Sequence, residues 1–331
     1  MKIDIFPHIM PPKFYKAFHK VVKSEIHKKL HENIPTLWDL DHRFRIMDKF
    51  DDYVQVLTLA SPPLENIADP RMAAELAKMA NDELAELYLK YPDRFAAAVA
   101  SLPMNDMDLA LKELDRAIKD LHLRGVQIFT PTLDKPLDSP EFMPLYEKMC
   151  YYNLPIWIHP QREPGYADYR TEKASKFDLF SLFGWVYETT TFMGRLVMSG
   201  VLEKYPNLKI ITHHGGAMVP FLSNRISGFL DGAEIAIRKK TTEDLRKPVI
   251  DYFKMFYADT AIYGHTPGLM LSHNFYGPEH MLFGTDMPYD PTYGLKYTKV
   301  TIEAIEEMDI SKEDKKMIFE GNARKMLRLA V

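Results

Sequence analysis

The chain has 331 residues, of which 46% are hydrophobic, enough to bury one large core. A formal net charge of −4 gives no electrostatic case for nucleic acid, and no apolar run reaches the length of a membrane span. One cysteine, Cys150, excludes an internal disulfide framework and fits a reducing, cytoplasmic setting.

In chain order, residues 2–6 read as a first strand followed by His8 and the Pro11-Pro12 break. The opening stretch carries Asp4 and Pro7 within a short apolar run, which does not match a secretory signal. Residues 13–48 are charged and aromatic, with Pro35 interrupting them, and are expected to make a partly helical excursion over one end of the fold. Further strands are expected at 53–59, 95–101, 125–129, 155–159, 208–212, 254–258 and 281–284. Between them, Met72, Leu76, Met79, Leu84, Leu87 and Tyr88 recur at helical spacing, as do Leu109, Leu111, Leu114, Ile118 and Leu121. Helices are also expected at 141–152, from about 178 to 205, after Gly215-Gly216, and over 295–329. Eight alternations of strand and helix predict an α/β fold, a single (β/α)8 TIM barrel spanning 1–331 with insertions over its mouth. The alternative, an open doubly wound sheet, lacks a Gly-rich phosphate fingerprint after an early strand.

Several strands end on a metal-ligating side chain. The first leads to His8, Pro155-Ile-Trp-Ile to His159, Leu208-Lys-Ile-Ile-Thr to His213-His214, and Met281-Leu-Phe-Gly-Thr to Asp286. A carboxylate directly after an apolar strand is costly to bury without a cation or hydrogen bonds. Neutral imidazoles with a carboxylate suit one divalent ion, zinc first and manganese or iron as options, with a coordination position left for water. His213 and His214 are adjacent on an extended segment, so only one is expected to face the barrel.

These pieces, with Ile3-Asp4-Ile5-Phe6-Pro7-His8 and Gly321-Asn-Ala323, resemble the amidohydrolase-superfamily branch of aminocarboxymuconate-semialdehyde and γ-resorcylate decarboxylases. The resemblance runs from Lys2 to near Leu327. It implies His8, His159 and Asp286 as metal ligands and His214 as the catalytic histidine alongside Asp286, with His213 as the fallback. It implies Arg225 as a substrate-carboxylate group that some relatives extend into a neighbouring subunit, hence a homodimer or higher homo-oligomer. Arg162, just after His159, is a second candidate for the carboxylate, against the plainer reading of a solvated loop charge. Glu188 and Thr189 fall at a recurring position with a structural role. Phe6 departs from the pattern: it stands where the branch has the first of two ligands, so it would face the substrate without binding the ion.

The activity the resemblance implies is decarboxylation of an aromatic or unsaturated carboxylic acid, with no nucleic-acid or membrane partner. A hydrolase of a lactone, amide or ester, with or without metal, would use the same residues. A non-catalytic binding protein would explain Phe6 but not the retention of His8, His159, His214 and Asp286 together.

Overall fold

In the computed structural model, which describes residues 1–237 and 245–329, the strands are β1 (Lys2–Asp4), β2 (His8–Ile9), β3 (Tyr53–Leu59), β4 (Phe95–Ala98), β5 (Ala100–Ser101), β6 (Val126–Thr130), β7 (Ile156–Pro160), β8 (Ile210–Thr212), β9 (Tyr257–Asp259) and β10 (Met281–Leu282). Every ladder is parallel. Two of the expected strands are each split in two. The first breaks over Ile5–Pro7, where Pro7 has no amide hydrogen to give a ladder. The third breaks at Val99, which turns from one neighbour to the other: Val99 N–H donates to Leu57 O at 3.0 Å and Ala100 N–H to Gly125 O at 2.9 Å.

The last strand meets the first through Ile5 N–H to Phe283 O (2.9 Å), Asp286 N–H to Phe6 O (3.2 Å) and His8 N–H to Met287 O (2.8 Å). The strands thus run in chain order round a (β/α)8 barrel. The period of two sorts their side chains. Trp157 packs with Ile3, Ile5, Phe6, Val56, Val99, Ile211 and Leu282, while its neighbours Ile156 and Ile158 join the larger core towards the helices.

The helices cover the outside as their spacing requires. Helix Pro70–Lys90 is capped by Asp69, which accepts from Met72 N–H, and buries Ala73, Leu76, Ala80, Leu84 and Leu87. Residues 12–47 form helices Pro12–Val21, Glu25–Glu32 and Leu40–Met47. The last of these sends Arg43, fully buried, under the mouth, where it donates to Thr36 O at 3.1 Å, Gln55 Oε1 at 2.5 Å and the His8 carbonyl. The seventh strand begins later than residue 254, because Val249–Phe253 is a helix that ends on Lys254. Among the described residues, no helix is long and apolar enough to cross a membrane.

Candidate active site

Strand ends deliver the site, as the C-terminal rim of a parallel barrel does generally. His8 begins β2, His159 lies near the end of β7, His213 follows β8, and Asp286 follows β10. Asp286 is the hub. Its Oδ1 is 3.1 Å from His8 Nε2 and 3.3 Å from His213 Nε2. Its Oδ2 accepts from the Tyr263 hydroxyl at 2.9 Å and lies 3.7 Å from His214 Nε2. His8 and His159 have ring centroids 5.2 Å apart.

Both adjacent histidines reach Asp286, contrary to the expectation for an extended pair. The cause is local: β8 stops at Thr212, and His214, Gly215 and Gly216 take positive φ of 59°, 66° and 78°. The left-handed turn brings the His214 ring to 3.9 Å from that of His213. A side chain at Gly216 would strike Tyr276, its Cβ coming 2.4 Å from the Tyr276 hydroxyl, so that tight turn requires glycine.

Each imidazole is oriented by what its other nitrogen meets. His159 Nδ1–H donates to Pro160 O at 2.7 Å, which leaves Nε2 as a lone-pair donor. His213 Nδ1 is held by Asp259, whose second oxygen accepts from Gly215 N–H at 3.0 Å and Ala261 N–H at 3.1 Å. Burial works against charge on His213, but Asp259 and Asp286 outweigh it and push the imidazole up to about 10. His159 is pushed well down by burial and then by the His8 and His213 charges. Burial opposes ionisation of Asp286, yet the charge on His213, with His214 close by and His8 in hydrogen-bond contact, holds it well below the ordinary carboxylate range.

The donor set fits a divalent ion. Ligand atoms of His8, His159 and His213 lie within 4.8 Å of one another, as do those of His213, His214 and Asp286. Buried His8 Nδ1, His213 Nε2 and His214 Nδ1 have no hydrogen-bond partner, and buried polar atoms are rarely left so without a ligand. Phe6 sits inside this group. Its fully buried ring stacks on His213 at 3.9 Å and 15°, with His8 at 5.6 Å and His159 at 6.1 Å.

The two arginines are placed elsewhere. Arg162 donates to Glu188 at 2.5 Å and lies over the Tyr166 ring, and it lines a mouth cavity that holds none of the site histidines. In this structure the Arg162 guanidinium has Glu188 as its acidic partner. Arg225 is exposed on helix Val219–Ile237, over the Phe229 ring. Thr189 is buried and its hydroxyl donates to Trp185 O. Two functional groups come unannounced by the sequence reading. Asp259 ends β9 one residue beyond the expected strand, so its signal was the carboxylate after Phe256-Tyr257-Ala258. Tyr263 lies in a loop at φ 56° and carries no sequence signal. The His214 side of the site opens into a cavity of about 590 Å³, also lined by Tyr263, Trp185 and Tyr297.

Fold and site together define a barrel hydrolase or lyase built for metal-assisted chemistry. The family model described as Amidohydrolase matches residues 8–329, and the chain belongs to that family. It is 32% identical over 296 residues to a γ-resorcylate decarboxylase from Polaromonas sp., covering 87% of each chain. It is 28% identical to the 2-amino-3-carboxymuconate-6-semialdehyde decarboxylase of Dictyostelium discoideum, covering 99% of this chain and 92% of that one. A crystal structure of a dihydroxybenzoic acid decarboxylase from Polaromonas sp., with bound manganese and the inhibitor 2-nitroresorcinol, superimposes with a TM-score of 0.79 at 27% identity, covering 99% and 96% of the two chains.

Proposed function

We propose that this protein is a metal-dependent decarboxylase of a phenolic or otherwise unsaturated carboxylic acid. The observation that carries the reading is the convergence of His8, His159 and Asp286 at the barrel rim, beside a histidine held by its own buried carboxylate. His8, His159 and Asp286 would hold one divalent ion, manganese or zinc. Bound there, the ion supplies Lewis acidity towards the oxygen substituents of the substrate.

The chain's own groups do the rest. Loss of carbon dioxide breaks the bond between ring and carboxyl carbon, leaves its electron pair on the ring, and requires one proton there. We assign that proton to His213 Nε2 rather than to His214. Asp259 on Nδ1 fixes the ring's orientation and supports its charged form, the arrangement an acid–base histidine needs. His214, facing the cavity, orients the substrate. Tyr263 holds the second oxygen of Asp286 and so fixes the carboxylate, with Oδ1 beside His213, in the place where it would help to hold an ion.

The same groups could activate water in a lactone or ester hydrolase, and Phe6, by removing a ligand position, favours that second reading. Self-association is part of the proposal: Phe221 and Phe229 are 78% and 64% exposed on the helix that carries Arg225, which would place Arg225 near a partner's site. The test is carbon dioxide release by manganese- or zinc-loaded protein from hydroxybenzoates and muconate-type acids. His213→Gln should abolish release while retaining metal. Full release by His213→Gln and none by His214→Gln would reverse the assignment.

A further inference from the structure

Asp286 holds a backbone conformation that its own side chain does not secure. Its φ is 61°, a left-handed value uncommon outside glycine. Support comes from both neighbours. Thr285 N–H and Oγ1 donate to Asp4 at 3.1 and 2.6 Å, and Met287 N–H donates to Thr285 Oγ1 at 3.2 Å. Asp4 Oδ1 also accepts from Phe6 N–H at 3.1 Å, and Oδ2 from the Tyr53 hydroxyl at 2.6 Å. Gln55 Nε2 donates to that hydroxyl at 2.9 Å and to Met287 Sδ at 2.8 Å. Gln55 Oε1 in turn accepts from Arg43, whose guanidinium also holds the His8 carbonyl. Asp4, Arg43, Gln55, Tyr53 and Thr285 are all buried. One chain of hydrogen bonds thus runs from the His8 carbonyl to the residues on either side of Asp286.

Resting on the ion-site reading of His8 and Asp286, we propose that Arg43, Gln55, Tyr53 and Asp4 act as one positioning network that fixes the spacing of these two ligands and so sets ion affinity. Arg43 donates only to neutral oxygens, and a buried guanidinium with no anion to balance it is costly. Gln55 and Tyr53 connect it to Asp4, so the two opposite charges support each other through groups of fixed orientation. The helix that carries Arg43 is thereby tied to the first and last strands where they meet. The role holds whether the loaded site decarboxylates or hydrolyses.

Calorimetric titration of manganese and zinc into the full chain tests this, at a temperature where each variant is folded and with melting measured alongside. Tyr53→Phe, Asp4→Asn and Thr285→Val should each bind the ions at least about tenfold more weakly, the effect of removing a group that orients a ligand. Thr285→Ser keeps the donor to Asp4 and should stay within about threefold of wild type. Tyr53→Phe combined with Asp4→Asn should lose little beyond the larger single loss, since both break one network. Asn81→Ala is the control. It breaks a buried set outside the network, Asn81 Nδ2 to Ser101 O at 3.0 Å and to Glu113 Oε1 at 2.7 Å, and should lower the melting temperature with affinity unchanged. Wild-type affinity in Tyr53→Phe and Thr285→Val, whatever their melting, overturns the proposal, and so does an equal loss in Asn81→Ala. No ion binding by wild type removes the ion site and the network's role with it. Weakened binding in the network variants, with no carbon dioxide from any hydroxybenzoate in wild type, supports the network and removes the decarboxylase reading.

Discussion

Phe6 has no exposed surface, and its ring lies 3.9 Å from His213 and 5.6 Å from His8, so Phe6→His would put an imidazole among the proposed ligands. Without metal, the change replaces packed phenyl by a polar ring whose nitrogens face imidazoles. The apo protein should lose about 2–4 kcal/mol, the sum of lost apolar contact and an unsatisfied buried nitrogen. With metal, an added ligand should raise affinity at least about 10- to 100-fold, or about 1.4–2.8 kcal/mol. The melting temperature of Phe6→His should therefore fall in chelator and recover when manganese or zinc is added, by more than in wild type. Calorimetric titration of both ions gives the affinities, and melting with and without metal gives the stabilities. Equal affinities for wild type and Phe6→His, with Asp286→Ala unchanged as well, would refute the reasoning and leave the metal-independent hydrolase as the better reading.

Three further outcomes follow from particular contacts. Tyr263→Phe removes the donor to Asp286 Oδ2, a loss of about 1–3 kcal/mol in holding the carboxylate, and should lower kcat about tenfold with metal content retained; unchanged kcat would deny Tyr263 a positioning role. Glu65 is 6% exposed with Oε1 unpartnered, and burial pushes it from 4.5 up to about 7. The folded state therefore keeps a proton that the unfolded chain releases, and Glu65 costs stability as pH rises from about 4.5 to about 7. Glu65→Gln should raise the melting temperature at pH 8, with the gain shrinking towards pH 5; a pH-independent difference would contradict the burial argument. Finally, sedimentation should show a dimer or larger species that Phe229→Glu shifts towards monomer, whereas a monomeric wild type at working concentration would oppose the self-association proposal.

Much of the site was legible because barrel strands report their ends. An apolar run that stops at His159 or Asp286 has one physical place to put that side chain, the rim, and the structure places both there. Periodicity also located helices Pro70–Lys90 and Met107–Lys119 to within a residue or two of their ends. What escaped depends on backbone conformation that composition does not encode. The positive φ of His214 and its two glycines defeats the alternation rule and brings both histidines to Asp286. The partnership of His213 with Asp259 spans 46 residues and needs β8 and β9 paired in register, Thr212 opposite Ala258. Arg43 read as one charge in a polar excursion, yet it is buried beneath the mouth with its guanidinium on backbone and amide oxygens. Arg162 pairs with Glu188, 26 residues away, a contact that its position after His159 does not announce.

The central claim is that this rim replaces a carboxyl group by a proton, using His8, His159 and Asp286 for the ion and His213 for the proton. The direct measurement is product analysis in deuterated water: metal-loaded protein with hydroxybenzoate acids, carbon dioxide quantified and the phenol examined by mass spectrometry. The account predicts one carbon dioxide per phenol, one deuterium at the ring carbon that bore the carboxyl, and neither product from Asp286→Ala or chelated protein. Retention of the carboxyl group, with water added across a lactone or ester instead, would contradict it.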